Sequence, residues 1–440
     1  MDNIIIKSGI IANNEEWKGN IIVTDDILIP QGVSVVVHPN TRIKFKKKSQ
    51  NKLFNKNYKI SYLIKKFNLQ EEQYVDKIAV VVYGSLVING KKEEIVDIGN
   101  DGWNGIIAIS PKAVLSMKYA RIRYGFGIFC DTNSKTTFID TCIIEQCCLG
   151  IVAFSKILVR KSRINYNEIG IVCFNRFIIC KNKIVDNFYC GIKIISKKGF
   201  FSKNITALNN VGTNLDESSN IKLYYNHYEF NNVGIFINKS NNIFINAFLS
   251  NNFINIFVCN YSYDIIIVCL AILYIGVYVD NLSEVEIRNS VFFNLKSMLL
   301  SSNHSAVTIN NVKTEDTLVS IVSILNSYTY INKTDMKAIR KCAISMFNSE
   351  IIGKDSRFNS AVEVFTNLNS KISVENSKIE AKELVCMANE NSNAFFDKVD
   401  IKSKGGSINS IEPYVDEFTR ECKERINNNK DLINRLKKQS

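Results

Sequence analysis

The chain is poor in the residues that break or link structure. Its 440 residues include four prolines and twenty glycines, and no Gly/Ser-rich or Pro-rich stretch. That excludes long flexible linkers between domains. Histidine occurs only at His38, His227 and His304, none of them beside a cysteine or a carboxylate pair. A zinc centre or a Ser/Cys–His catalytic set has no basis in this pattern. No apolar run reaches the roughly 18–20 residues of a membrane span. The most apolar stretch, Ile265–Val279, is about 15 residues long. The opening residues, MDNIIIKSGIIANNEEW, lack the basic start, apolar middle and small-residue cleavage site of a signal peptide. Phosphate-binding glycine loops and Asp-rich calcium loops are missing, and no nucleic-acid motif is present. Neither a cofactor nor a metal is therefore expected.

Twelve cysteines are present without a Cys-x-x-Cys pair. So many unpaired thiols favour a reducing, cytoplasmic setting. The alternative is a secreted or periplasmic protein whose signal has been removed. The net charge of +13 favours anionic partners or, more simply, a lysine-rich soluble surface.

What the chain does have is a repeat. Gly127-Ile128-Phe129-Cys130, Gly150-Ile151-Val152-Ala153, Gly170-Ile171-Val172-Cys173 and Gly191-Ile192-Lys193-Ile194 share one pattern. It continues through Gly212, Gly234, Asn255 and Gly276 in steps of 20 to 23 residues. A fixed short period marks a solenoid. Each unit holds short β-branched runs, such as Ile157-Leu158-Val159, bounded by turn residues. Such runs are too short for packed helices and suit strands of about three to five residues, paired in parallel from one coil to the next. A second column, Asn167, Asn187, Asn210, Asn232 and Asn252, precedes the glycines. Asparagine tolerates left-handed turns and can stack as a hydrogen-bonded ladder. A further register, Val285-x-Ile287-x-Asn289-Ser290, returns at Val307, Ile344 and Ile372.

The segment from Asn20 to Phe45 resembles the opening coils of right-handed parallel β-helix repeat proteins, as does Val80 to Gly90 followed by Trp103-Asn104-Gly105-Ile106. The Asn-x-x-Gly-Ile units between residues 127 and 280 are similar to the pectate-lyase-like superfamily. The resemblance implies an all-β, single-stranded right-handed parallel β-helix. These motifs specify the coil and no activity. The expected organisation is an N-terminal cap over 1–19, the β-helix over 20–405 with an insertion at 46–77, and a C-terminal α-helix within 406–440. The insertion is expected to hold a short helix, Tyr58–Phe67. The terminal helix, spanning 412–438, is expected to cap the last coil.

Candidate chemistry is sparse. Cys130 and Cys173 fall in a core-facing column, and Cys190 precedes its glycine, so all three read as inert packing. Cys142, Cys147, Cys148 and Cys180 lie near turns. Enzymes on this fold commonly use projecting carboxylates. Asp131, Asp216 and Asp280 share a column but stand three or four coils apart, roughly 14–19 Å, too far for a glycosidase pair. Glu145, Asp140, Asp186 and Glu168 read as isolated, and no catalytic set assembles. Tyr224, Tyr225, Tyr228, Tyr261 and Tyr263 are candidates for stacking on a ligand, with Tyr274 and Tyr278 nearby. Arg42, Lys44, Lys46, Lys47 and Lys48 open a stretch ending at Lys66 with ten basic and no acidic residues, a candidate anion site. The sequence favours a non-catalytic scaffold that binds a polysaccharide or a protein, at a cell surface or in an assembly. Two alternatives stand beside it. One is a polysaccharide lyase, hydrolase or epimerase acting on an acidic glycan. The other is binding of an anionic polymer or membrane surface through the basic insertion.

Overall fold

The computed structural model describes residues 4–46, 62–63, 65–67, 77–101, 103–132, 137–272, 274–295, 297–338, 342–360, 363–388, 391–403 and 408–409. Two compact units appear, Met1–Thr213 and Asn214–Lys438. Over its described residues each is a parallel β-helix. The expected C-terminal helix lies outside the described residues, as do Lys47 and Lys48. Helical backbone occurs among the described residues only at 62–63 and 65–66, inside the insertion.

In the first unit three series of strands stack. Series one includes β9 (Trp103–Ala108), β12 (Gly127–Cys130), β15 (Leu149–Ala153), β18 (Ile169–Cys173) and β21 (Cys190–Ile194). Series two includes β10 (Val114–Lys118), β13 (Thr137–Asp140), β16 (Ile157–Arg160), β19 (Phe177–Cys180) and β22 (Gly199–Ser202). Series three includes β11 (Ala120–Arg123), β14 (Ile143–Glu145), β17 (Arg163–Asn165), β20 (Lys183–Val185) and β23 (Ile205–Ala207). Each strand pairs in parallel with its counterpart one coil on. Ile151 faces Ile171, which faces Ile192, and Ala153 faces Cys173, which faces Ile194. These isoleucines are fully buried, each worth about 1.5–3 kcal/mol relative to exposure.

The coil starts early. Residues 4–17, expected as a cap, form β1 (Ile4–Ile10) and β2 (Glu15–Trp17), which pair in parallel with β3 (Asn20–Ile29) and β4 (Ser34–Val37). β3 turns a corner within its length. Its first half pairs with β5 (Arg42–Phe45) and its second with β6 (Ile78–Val82), so the insertion leaves the coil at a corner. Its described part returns to the coil. Tyr62 meets Phe174 edge-on at 6.3 Å, and the buried Phe67 ring lies 5.7 Å from the ammonium of buried Lys193. This contact helps explain why β18 and β21 are buried on both faces.

The glycine column is a steric requirement. A Cβ at Gly150 or Gly170 would stand 2.5 Å from the carbonyl oxygen of the next glycine in the stack. In the second unit the same position is filled by Gly234, Asn255 and Gly276. Asn255 is tolerated as a buried residue whose Nδ2 donates to the Ile275 carbonyl at 3.1 Å.

Corners share a dipeptide. In many of them a left-handed residue is followed by a buried Asn, Ser, Thr or Cys, whereas Tyr124 precedes Gly125. Tyr124, Gln146, Tyr166, Asp186 and Leu208 have φ between +54° and +59°. Left-handed backbone costs an L-residue roughly 1–2 kcal/mol. The following residue offsets that cost. The backbone and Nδ2 of Asn167 donate to Asn187 Oδ1 at 3.2 and 3.0 Å, and those of Asn187 donate to Asn209 Oδ1 at 3.0 and 2.9 Å. In the second unit Asn231 donates to Asn252 in the same way. The ladder therefore uses Asn209 and Asn231, not the expected Asn210 and Asn232. In Asn209-Asn210 and Asn231-Asn232 it is the first residue that follows the left-handed position, Leu208 or Phe230. Other corners use serine, as where the Ser218, Ser240 and Ser262 amides donate to the hydroxyls of Ser240, Ser262 and Ser283.

Strand length departs from expectation in the second unit. β25 (Ser219–Glu229), β27 (Asn241–Ser250) and β29 (Tyr263–Ile272) run 10 or 11 residues and carry the ladder through a corner. β29 then pairs with two short strands, β31 (Glu284–Arg288) and β32 (Val291–Phe293).

Asn187→Ala removes the acceptor for Asn167 and three Nδ2 contacts, to Asn209 Oδ1 and to the Ile164 and Val185 carbonyls. The expected loss is about 2–4 kcal/mol, read as a lower urea midpoint. Gly170→Ala should cost about 1–3 kcal/mol through the clash. Unchanged midpoints in both variants would contradict the rung-by-rung account.

Candidate functional site

One corner of the first unit opens into a cleft of about 790 Å³. Two side-chain columns line it. The first is the left-handed column itself, Tyr124, Gln146, Tyr166, Asp186 and Leu208. The second lies two residues further along each coil and includes Cys148, Glu168, Phe188 and Asn210. Lys77 and Asp101 complete the wall. The ladder residues Cys147, Asn167 and Asn187 form the floor between the columns. Backbone bonds hold the columns in step: Tyr166 N–H donates to the Asp186 carbonyl at 3.1 Å, and Tyr189 N–H to that of Glu168 at 2.8 Å.

Three aromatic rings stand into solvent here. Tyr166 is 54% exposed, Phe188 69% and Tyr124 36%. Among them sit three carboxylates, Asp101, Glu168 and Asp186, against one cation, Lys77. Glu168 is half-buried. That burial raises its pKa, and the Cys148 thiol donating to it at 3.5 Å only partly opposes the rise.

Glu168 and Asp186, which read as isolated in the sequence, stand on adjacent coils and adjacent columns of one cleft. The signal was available. Each flanks a ladder asparagine, Glu168 after Asn167 and Asp186 before Asn187. The other carboxylates are structural. Glu145 aligns with Asn165 and then Val185, and accepts from Arg121 Nε at 2.6 Å. Burial raises the pKa of Asp140, but Arg160 at 2.9 Å and Thr141 outweigh it and hold the carboxyl below its usual range. Asp216 accepts from Asn238 at 2.8 Å, and Asp280 from Ser302 at 2.7 Å.

The tyrosine set does not converge. Tyr228 is fully buried, while Tyr225, Tyr261 and Tyr263 are exposed. Tyr224 packs on Phe244 with ring centres 5.1 Å apart. Tyr263 aligns with Asn241 and then Ser219, five residues before Tyr224 on its strand, or about 16 Å. Arg42, Lys44 and Lys46 are exposed, the first two on β5. The described cysteines are free thiols, and burial pushes Cys130, Cys142 and Cys147 up to about 12. Among the described residues, no group of three or more His, Cys, Asp or Glu is placed to hold a metal ion, and no helix is long and apolar enough to cross a membrane. The second unit carries an acidic groove of about 410 Å³ along Asp264, Glu284 and Glu286.

No family model and no curated protein matches the chain. Solved structures similar to it include the A-module of the Azotobacter vinelandii mannuronan C-5 epimerase AlgE4. That match has 10% identity, covers 91% of each chain and has a TM-score of 0.26. The tailspike protein of E. coli bacteriophage HK620 is similar at 9% identity over 89% of this chain and 72% of that one, with a TM-score of 0.35. The PL6 family alginate lyase AlyGC is similar at 7% identity over 87% and 98%, with a TM-score of 0.18.

The raised pKa of Glu168 has a stability consequence. A carboxyl whose folded pKa lies above its unfolded value favours folding while protonated in both states. That contribution is lost as pH rises from the unfolded value of 4.5 through the folded one. Glu168→Gln should therefore melt higher than the parent at neutral pH, with the gap closing below about pH 4. A constant gap across pH would show that the ionised form carries no burial cost.

Proposed function

We propose that the protein is a β-helix glycan-binding scaffold, and that the Tyr124–Tyr166–Phe188 cleft takes an uncharged oligosaccharide. One observation carries this reading: exposed aromatic faces alternate along the coil with carboxylate and amide acceptors. Aromatic faces stack on the apolar side of a sugar ring, and Gln146, Glu168, Asp186 and Asn210 suit its hydroxyls. Three carboxylates against one cation would repel a uronate, so a neutral chain fits better than an acidic one. Right-handed winding, the near-universal hand of parallel crossovers, and a C-terminal helix belong to the same reading. So does a reducing compartment, which the buried free thiols favour.

A second reading, hydrolysis of the bound chain, is favoured by the placement of Glu168 and Asp186. Diagonal neighbours on adjacent coils stand about 7–8 Å apart, within the roughly 6.5–9.5 Å carboxylate separation of inverting glycosidases. Glu168, with its raised pKa, would then be the general acid.

Affinity electrophoresis through a panel of neutral and uronic polysaccharides separates these readings. Retardation is expected in a neutral glycan, and Tyr166→Ala should weaken it about tenfold or more. Retardation only by uronate gels, or none that depends on Tyr166, would reject the cleft. Release of reducing ends that Glu168→Gln abolishes while retardation persists would establish the hydrolytic reading.

A further inference from the structure

The first unit has a second patterned face. Lys161, Lys181 and Lys203 occupy successive left-handed corners, with φ of 52°, 59° and 54°. Lys161 N–H donates to the Cys180 carbonyl at 3.2 Å and Lys181 N–H to that of Ser202 at 3.0 Å, which stacks these corners one coil apart. Two residues on, Arg163 faces Lys183 directly across the strand pair. All five side chains are exposed, and none forms an ion pair among the described residues. Residues 156–203 hold eleven basic and two acidic side chains.

The fold does not ask for this arrangement. Left-handed corners favour Asn, Asp and Gly, not Lys. Coils lie about 4.8 Å apart, well inside the screening length, so stacked like charges weaken the pairing. A solubilising surface would be served better by mixed signs.

An apolar row runs beside the cations. On series two, Phe138 faces Leu158, then Ile178, then Phe200. Ile178 is 41% exposed and Phe200 38%, and Ile205 ends the Arg163–Lys183 column at 37%. Cations beside protruding apolar side chains are the composition of a surface that lies on a bilayer.

We propose that this face docks on an anionic lipid bilayer. The three lysines, with Arg163 and Lys183, meet the headgroup phosphates, while Ile178, Phe200 and Ile205 enter the boundary with the acyl chains. A soluble polyanion would use the cations and leave the apolar row without a role. Single-stranded nucleic acid would need a row of aromatic platforms, and neither cationic column carries a ring between Lys161 and Ile205. The proposal uses no residue of the Arg42–Lys66 stretch and does not depend on the glycan reading of the cleft.

Co-sedimentation with vesicles tests it. The full chain should pellet with vesicles of phosphatidylserine and phosphatidylcholine in equal parts, not with phosphatidylcholine alone, and less as salt rises. The Lys161→Ala, Lys181→Ala, Lys203→Ala triple variant should bind about a hundredfold more weakly, at about fivefold per lysine. The corresponding triple arginine variant should keep binding, which separates lost charge from lost fold. An Ile178→Thr, Phe200→Thr variant should also bind more weakly and dissociate at lower salt. Equal pelleting of the parent and the triple alanine variant overturns the proposal. So does retention on heparin or nucleic acid, lost in that variant, by a parent that never pellets with vesicles.

Discussion

The corner hydrogen bond is the constraint on which the rest of the structure depends. A β-helix closes each coil by turning sharply, and each turn leaves a backbone N–H inside the wall, away from water. An unpaired buried N–H costs about 1–3 kcal/mol, and the cost recurs at every corner of every coil. The protein answers it with a side-chain oxygen from the next coil: Asn187 for Asn167, Asn209 for Asn187, Ser240 for Ser218. The preceding residue must then be left-handed, so its side chain points outward. The outward columns are thus a by-product of satisfying the interior.

That coupling places both outward faces, the cleft and the lysine row. Gln146, Tyr166 and Asp186 line a cleft because they precede ladder residues, and Lys161, Lys181 and Lys203 form a row for the same reason. No catalytic loop or separate domain is needed to bring them together. Residues some 20 apart in the chain become neighbours at about 4.8 Å, with the coil itself as the ruler.

The same logic explains what the sequence disclosed. The isoleucine, glycine and Cys130–Cys173 columns were legible because packing repeats their chemistry at each step. The asparagine ladder was legible as a ladder but misplaced at Asn210 and Asn232. Both lie in Asn-Asn pairs, where composition does not say which residue follows the left-handed one. The cleft was legible only through the ladder asparagines that Glu168 and Asp186 flank. Its columns read Tyr-Gln-Tyr-Asp-Leu and Cys-Glu-Phe-Asn, with no residue type repeated on successive coils, because outward positions carry no packing constraint. A search for repeated chemistry finds the scaffold and passes over the site. The tyrosine set is spread for the converse reason. Its members share a residue type but not a register, and burial removes Tyr228 altogether.

Outward columns also differ from the core in what they cost. A core change is felt by the coils above and below, as the 2.5 Å approach at Gly170 shows. A corner side chain meets mainly solvent and its counterparts one coil away, so its identity is nearly free unless those counterparts repel it. Lysine at three successive corners, and arginine opposite lysine beside them, is such a repulsion. It occurs in a chain whose other corners carry Thr141, Gln146 and Asn251 without difficulty. Repulsion retained where neutral residues would serve is an argument for an external negative partner that relieves it. The acidic cleft makes the reverse case within the same unit. In a protein of net charge +13, three carboxylates against one lysine hold a local field opposed to that of the whole molecule. The two faces therefore sort ligands by charge: an anionic surface is drawn to the lysine row and turned away from the cleft.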